Sequence, residues 1–182
     1  MPGDGASARE PIRRIVTGNG PDGRSRIVED GPSPHVRTVE GRPGYRITNL
    51  WATDAMPAPV DGPDSLDRVT GVLPPPDGNV LRIIDFPPEP EDPEALARGM
   101  AATFSHLLPD AHQHDERPHP GMHVTRTVDY ALVLEGEVVA ILDDSETVMR
   151  AGDVLIQRAT NHAWANRSGR NARIAFILID GA

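Results

Sequence analysis

Proline placement is the tightest constraint on this chain. All 19 prolines lie at or before Pro120, and none follows it in the 182 residues. Proline lacks a backbone N–H and is excluded from central strands. The first two-thirds is therefore expected to be loop-rich, with short elements between breaks. The last third is free to form a continuous set of paired strands. From Met122 onward, apolar and β-branched runs cover 122–134, 137–142, 146–150, 153–157, 162–165 and 172–179. They alternate with turn-forming breaks such as Glu135-Gly136, Asp143-Asp144 and Ala151-Gly152-Asp153. Many short strands joined by tight turns predict an all-β sandwich or barrel, and no heptad or internal repeat competes with that reading.

The preceding region divides by texture. Residues 1–34 are rich in Gly, Pro, Asp and Arg, which predicts a flexible or extended N-terminal arm. Residues 35–103 read as a loop-rich β elaboration with a short helix. Two short strands are expected across 35–51, around Gly41-Arg42-Pro43-Gly44, and a strongly apolar strand over 80–86. Asp92-Pro93-Glu94 has the form of a helix cap followed by proline at the first helical position, so a helix is expected from Glu94 to about Thr103. Residues 104–182 then form the barrel core.

Absent residue types remove whole classes of chemistry. There is no Cys, which excludes disulfides, thiolate metal sites and thiol nucleophiles. There is no Lys either, since all 18 basic residues are Arg, which excludes Schiff-base catalysis and a P-loop lysine. A net charge of −9 argues against a nucleic-acid partner. No apolar run approaches a membrane-spanning length, and the first residues lack the apolar segment of a secretory leader. The expected compartment is the cytoplasm, with no membrane partner.

The polar residues inside the strand-rich region carry the functional content. Side chains alternate faces along a strand, so His123, Thr125, Thr127 and Asp129 share one side of MHVTRTVDYALVL. Imidazole and carboxylate are costly to bury unless paired or metal-bound. The row is either the lining of a cavity or the solvent side of an edge strand. His162 arrives from a separate strand with Trp164 on the same face, so the fold can bring it to His123. Two neutral imidazoles and one carboxylate suit a divalent first-row metal with open coordination positions.

These residues resemble the two motifs of the cupin superfamily. The first, G-x5-H-x-H-x3,4-E-x6-G, is matched in spacing from His123 to Gly136, with Thr125 at the second His and Asp129 at the Glu. The second, G-x5-P-x-G-x2-H-x3-N, resembles the stretch from Gly152 to Asn166. There Gln157 replaces the Pro, Ala159 replaces the second Gly, and His162 keeps its place. The resemblance spans about residues 104–180. It implies a double-stranded β-helix, a jelly-roll barrel with an N-terminal extension of extra strands, and commonly a homodimer. It also implies an internal divalent ion (Zn, Fe, Mn or Ni), or none given the lost imidazole. Carried over, the metal ligands are His123, Asp129 and His162, and His119 is a possible replacement for the missing His.

The expected function is a small-molecule, metal-dependent enzyme. Lyase, isomerase or dehydratase chemistry on a carbonyl-bearing, cyclic or aromatic metabolite comes first, and a dioxygenase of the same fold is the alternative. A non-catalytic ligand-binding or sensor barrel is the reading from a different class. Asp129, His123 and His162 are the candidate catalytic groups. Thr125, Thr127, Trp164 and Arg158 are the candidate substrate contacts. Thr125 and Thr127 can hydrogen-bond a substrate oxygen, Trp164 supplies either an apolar wall or ordinary core packing, and Arg158, like Arg126, is either a surface charge or an anion anchor, the surface charge being the simpler reading.

Overall fold

Alternation of side-chain character translates directly into strands. The computed structural model describes residues 9–114 and 118–181. In chain order its elements are β1 (Arg13–Asn19), β2 (Ser25–Pro32), β3 (Val36–Thr38), β4 (Arg46–Thr53), β5 (Asn79–Phe86), α1 (Pro93–His106), β6 (Thr127–Glu135), β7 (Glu137–Ile141), β8 (Glu146–Arg150), β9 (Val154–Arg158), β10 (Ala163–Ala165) and β11 (Ala172–Asp180). A six-stranded sheet runs in the order β3-β4-β5-β11-β6-β9, and a three-stranded sheet in the order β10-β7-β8. Their pairings are antiparallel throughout. One apolar core joins the two: Val80, Ile84, Ile174 and Phe176 from the larger sheet cluster with Val138, Ala140, Met149 and Trp164 from the smaller. This is the all-β jelly-roll architecture.

The turns follow local chemistry. Gly136 joins β6 to β7 with φ +73, and a Cβ there would stand 2.8 Å from the Asn171 carbonyl oxygen. Only glycine meets both conditions. Helix α1 begins where the sequence predicts, because the Asp92 carboxylate accepts hydrogen bonds from the Glu94 and Ala95 N–H groups. It runs one turn beyond the expected end and lays Gly99, Met100 and Thr103 against the barrel.

Two expectations change. The run 122–134 is not one strand. Regular pairing begins at Thr127, and the preceding residues form only the isolated bridges His112–Val124 and His123–His162. The stretch expected as a flexible or extended arm holds the β1-β2 hairpin; residues 1–8 lie outside the described residues. Charge, not apolar alternation, organises this hairpin. Arg13 pairs with Asp30 across the strands, and Arg14 binds Glu29 while reaching Asp64 and the Leu50 carbonyl of the body.

A buried carboxylate ties the large sheet together. Asp85 on β5 lies opposite Arg46 on β4 and Arg173 on β11. It accepts from Arg173 at 2.7 Å, from Arg46 at 2.9 Å and from Arg9 at 2.9 Å. Burial alone would raise the Asp85 pKa, but hydrogen bonds from Arg173 and Arg46 outweigh it and hold the pKa below the ordinary 3.8. A folded-state pKa below the unfolded value means the stabilisation is complete above the ordinary carboxylate range and fades as pH falls through the folded value. Asp85→Ala should cost about 3 kcal/mol, because it leaves three guanidinium groups facing one another. In urea melts the gap between variant and wild type should be largest near neutral pH and narrow in acid. A gap that does not change with pH would remove the charge explanation.

Candidate functional site

The inner face of β6 reverses the usual order of a strand. Thr125, Thr127 and Asp129 are buried, followed inward-facing by Ala131 and Val133, whereas Val128, Tyr130 and Leu134 are exposed. The polar row therefore lines the interior and is not the solvent side of an edge strand. The hydroxyls of Thr125 and Thr127 hydrogen-bond each other at 2.8 Å.

His123 and His162 meet through their backbones. The His123 N–H donates to the His162 carbonyl at 2.9 Å, and the His162 N–H returns a bond to the His123 carbonyl at 3.0 Å. This bridge places the ring centroids 4.4 Å apart. Each Nδ1 lies against a carbonyl oxygen, Gly121 at 2.9 Å for His123 and Thr160 at 3.0 Å for His162. A carbonyl can only accept, so each neutral ring carries its hydrogen on Nδ1 and keeps a lone pair on Nε2. Burial lowers the pKa of both rings. His162 is pushed down to about 3 by burial and by its neighbour His123. Both stay neutral at physiological pH.

The rings open onto a cavity of about 60 Å³. Space of that size holds about two water molecules or a small organic group. Its aromatic wall is a series of ring contacts, edge-on for Phe104 against His123, His162 against Trp164 and Trp164 against Phe176, and tilted for Phe176 against Phe86. Asp129 lines the same cavity. Burial raises its pKa to about 6, offset only in part by the Thr127 hydroxyl and the charge on Arg82, and its Oδ1 has no hydrogen-bond partner among the described residues. Arg82 also lines the cavity at 1% exposure. Burial lowers its pKa to about 10, so it remains charged.

The structure thus gathers His123, His162, Thr125, Asp129 and Trp164 around one space. Thr127 sits behind Thr125 and is buried, but does not itself border the cavity. Arg158 is not brought to the site. On β9 it is Gln157 that points inward, while Arg158 is exposed opposite Val128. Strand parity sends an arginine at that position outward. Arg126 is likewise exposed. His119 has no nitrogen to spare: its Nδ1 accepts from the Gly121 N–H, and its Nε2 bonds Glu89 at 3.0 Å. Among the described residues no three His, Asp or Glu side chains gather closely enough to share an ion. The imidazole pair by its tautomers offers two nitrogen donors, and Asp129 stands apart from them. Arg82 was missed in the sequence. Its signal was present, since it falls between Val80 and Ile84 on the inward side of β5.

Residues 106–179 match the family model described as a cupin domain. This segment is a cupin domain. Along most of the chain it is similar to fungal proteins. A "Cupin-domain-containing oxidoreductase" of Aspergillus ruber is 29% identical over 93% of this chain and 72% of its own length. One of Neurospora crassa with the same description is 28% identical over 93% and 75%. A phomopsin biosynthesis cluster protein of Diaporthe leptostromiformis is 43% identical over 61 residues, 32% of each chain. Among solved structures, a putative ethanolamine utilization protein of Salmonella typhimurium aligns with a TM-score of 0.44 at 10% identity, covering 96% of this chain and all of that one.

One departure of the cupin domain from its motif has a visible backbone consequence. Ala159 stands where the second motif has glycine, and its φ is +50. It is exposed, and its N–H donates to the Thr127 carbonyl at 3.1 Å. Gln157, at the motif's proline, braces the same turn by donating to the Thr160 carbonyl at 2.9 Å. The left-handed region strains any residue with a Cβ. Ala159→Gly should therefore raise stability by up to about 1 kcal/mol, the relief being partly offset by a more flexible unfolded chain. Thermal denaturation checks this, and a lowered midpoint would refute it.

Proposed function

We propose that this protein is an enzyme acting on a small carbonyl-bearing organic molecule held in the cavity, with proton transfer as its chemistry. The observation that carries the reading is the presence of two Nε2 lone pairs and a buried carboxyl group, one of whose oxygens has no partner among the described residues, around one partly open, aromatic-walled space. Aromatic walls exclude water and orient a planar substrate. The Thr125 hydroxyl is placed to donate to a substrate oxygen. The Asp129 carboxylate takes a proton from the carbon next to the carbonyl, or, once protonated, returns one to it or to a departing hydroxyl. Such steps sum to isomerisation or dehydration.

The donor chemistry of the imidazole pair also fits a divalent ion. Metal-bound histidines characteristically donate Nδ1–H to a backbone carbonyl, as both do here. His123 and His162 would hold the ion, and bound there it would polarise a substrate carbonyl. A second reading, oxidation of the same kind of molecule, is supported by the "oxidoreductase" descriptions of relatives at 28–29% identity.

Two measurements test these readings. Metal analysis after loading with Fe, Mn, Zn or Ni should show near-stoichiometric uptake by wild type, and at least tenfold less by His162→Ala. Wild type that accepts none of the four would eliminate the metal site. Metabolite extracts incubated with wild type and with Asp129→Asn, then compared by mass spectrometry, address the reaction. A feature replaced by an isomer or by a product lacking one water, in the wild-type sample alone, supports proton transfer. A product with added oxygen or two fewer hydrogens supports oxidation. A feature retained unchanged on the protein identifies a binding module and overturns the enzyme reading.

A further inference from the structure

Arg82 is an anomaly the proton-transfer chemistry does not use. Strand β5 turns Val80, Arg82, Ile84 and Phe86 inward, so a guanidinium takes a place in an otherwise apolar inner face. Of its nitrogens, Nη1 reaches the Gly71 carbonyl at 3.3 Å, while Nε and Nη2 have no partner among the described residues. No ion pair forms with it among those residues. Asp110 and Asp129 act on it through their charge alone and neither bonds it. Asp110 accepts from the Val72 and Leu73 N–H groups at 2.7 and 3.0 Å, and Asp129 lies on β6, beyond β11. A buried cation with idle donors is among the most expensive features a fold can keep.

Arg82 is not the only positive group at the cavity. Arg42 borders it too and stacks over the Tyr45 ring at 4.1 Å. Two guanidinium groups thus border a cavity whose one carboxylate among the described residues is Asp129, within a chain of net charge −9. The cavity is a local reversal of the protein's sign. Register also separates its two functional ends. Arg82 is paired with Phe176, and Phe176 packs on Trp164, which packs on His162. An aromatic wall therefore runs from the guanidinium to the imidazole pair.

We propose that Arg82 forms an anion subsite that receives a carboxylate of the substrate, so that the molecules accepted here are small organic acids with a carbonyl or ring toward His123 and His162. Nε and Nη2 form the edge of the guanidinium that matches two carboxylate oxygens, which explains why those two nitrogens are the unpartnered ones. The inference takes its cavity from the enzyme reading above but makes a binding claim of its own.

The test uses full-length metal-free protein, wild type, Arg82→Met and His162→Ala, titrated with pyruvate and benzoate by calorimetry. Acetamide and benzamide serve as uncharged controls. Wild type should bind at least one carboxylate tenfold or more tightly than its amide counterpart. Arg82→Met should abolish that preference, and His162→Ala should retain it. Arg82→Met without ligand should melt at the same temperature as wild type or higher, because it replaces an unpaired buried cation with an apolar chain. Lack of carboxylate preference in wild type, or a preference undiminished in Arg82→Met, overturns the subsite. So does an Arg82→Met protein that melts well below wild type, which would make Arg82 a structural support. Carboxylate binding that survives in a protein with no turnover would overturn the enzyme reading and leave the subsite standing.

Discussion

Strand β11 decides which side chains share the interior. It is flanked along nearly its whole length by β5 on one side and β6 on the other, and each register is unambiguous. Phe176 consequently has Arg82 beside it on one strand and Ala131 on the other, while Leu178 stands next to Asp129. A slip of one residue would exchange the two faces of a strand. Arg82 would then move to solvent, and Asp129 would exchange places with Val128 or Tyr130. The Asp85 cluster defends this alignment, because its carboxylate meets Arg46 and Arg173 only in the observed register. An electrostatic lock near one end of the sheet thereby protects the chemical content of the interior.

Period-two alternation made much of the site legible. It put His123, Thr125 and Asp129 on one side of the chain, and motif spacing paired His123 with His162. What alternation alone left open was which side faces inward, since the opposite face of β6 is the more apolar one. The same rule, applied to β9, sends Gln157 inward and Arg158 outward. Applied to β5, it places Arg82 inside among Val80, Ile84 and Phe86. The exposed place of Arg158 agrees with its reading as a surface charge, whereas Arg82 stands among apolar neighbours that mask its inward position in the sequence. The N-terminal hairpin was harder to see. Its pairing rests on Arg13–Asp30 and Arg14–Glu29 contacts between residues distant in sequence, and a Gly- and Arg-rich composition does not reveal them.

The site combines groups that stabilise the fold with groups that burden it. His119 is fully bonded and serves the loop that carries Gly121. Asn166, the last residue of the second motif, donates to the Phe86 and Arg170 carbonyls and ties β10 to the end of β5. Asp129 and Arg82, in contrast, keep unpartnered polar atoms in a buried space. Strain, bound water, an ion or a functional role can each account for such groups in a folded protein.

The main-chain bridge between His123 and His162 has a consequence for how this scaffold can diversify. The approach of the two residues is fixed by hydrogen bonds between peptide groups, which do not depend on the identity of the side chains around the rings. The walls around them are ordinary strand positions, each replaceable singly. A lineage built on this plan can therefore remodel the lining of the cavity by point substitution while the imidazole pair is passed on intact.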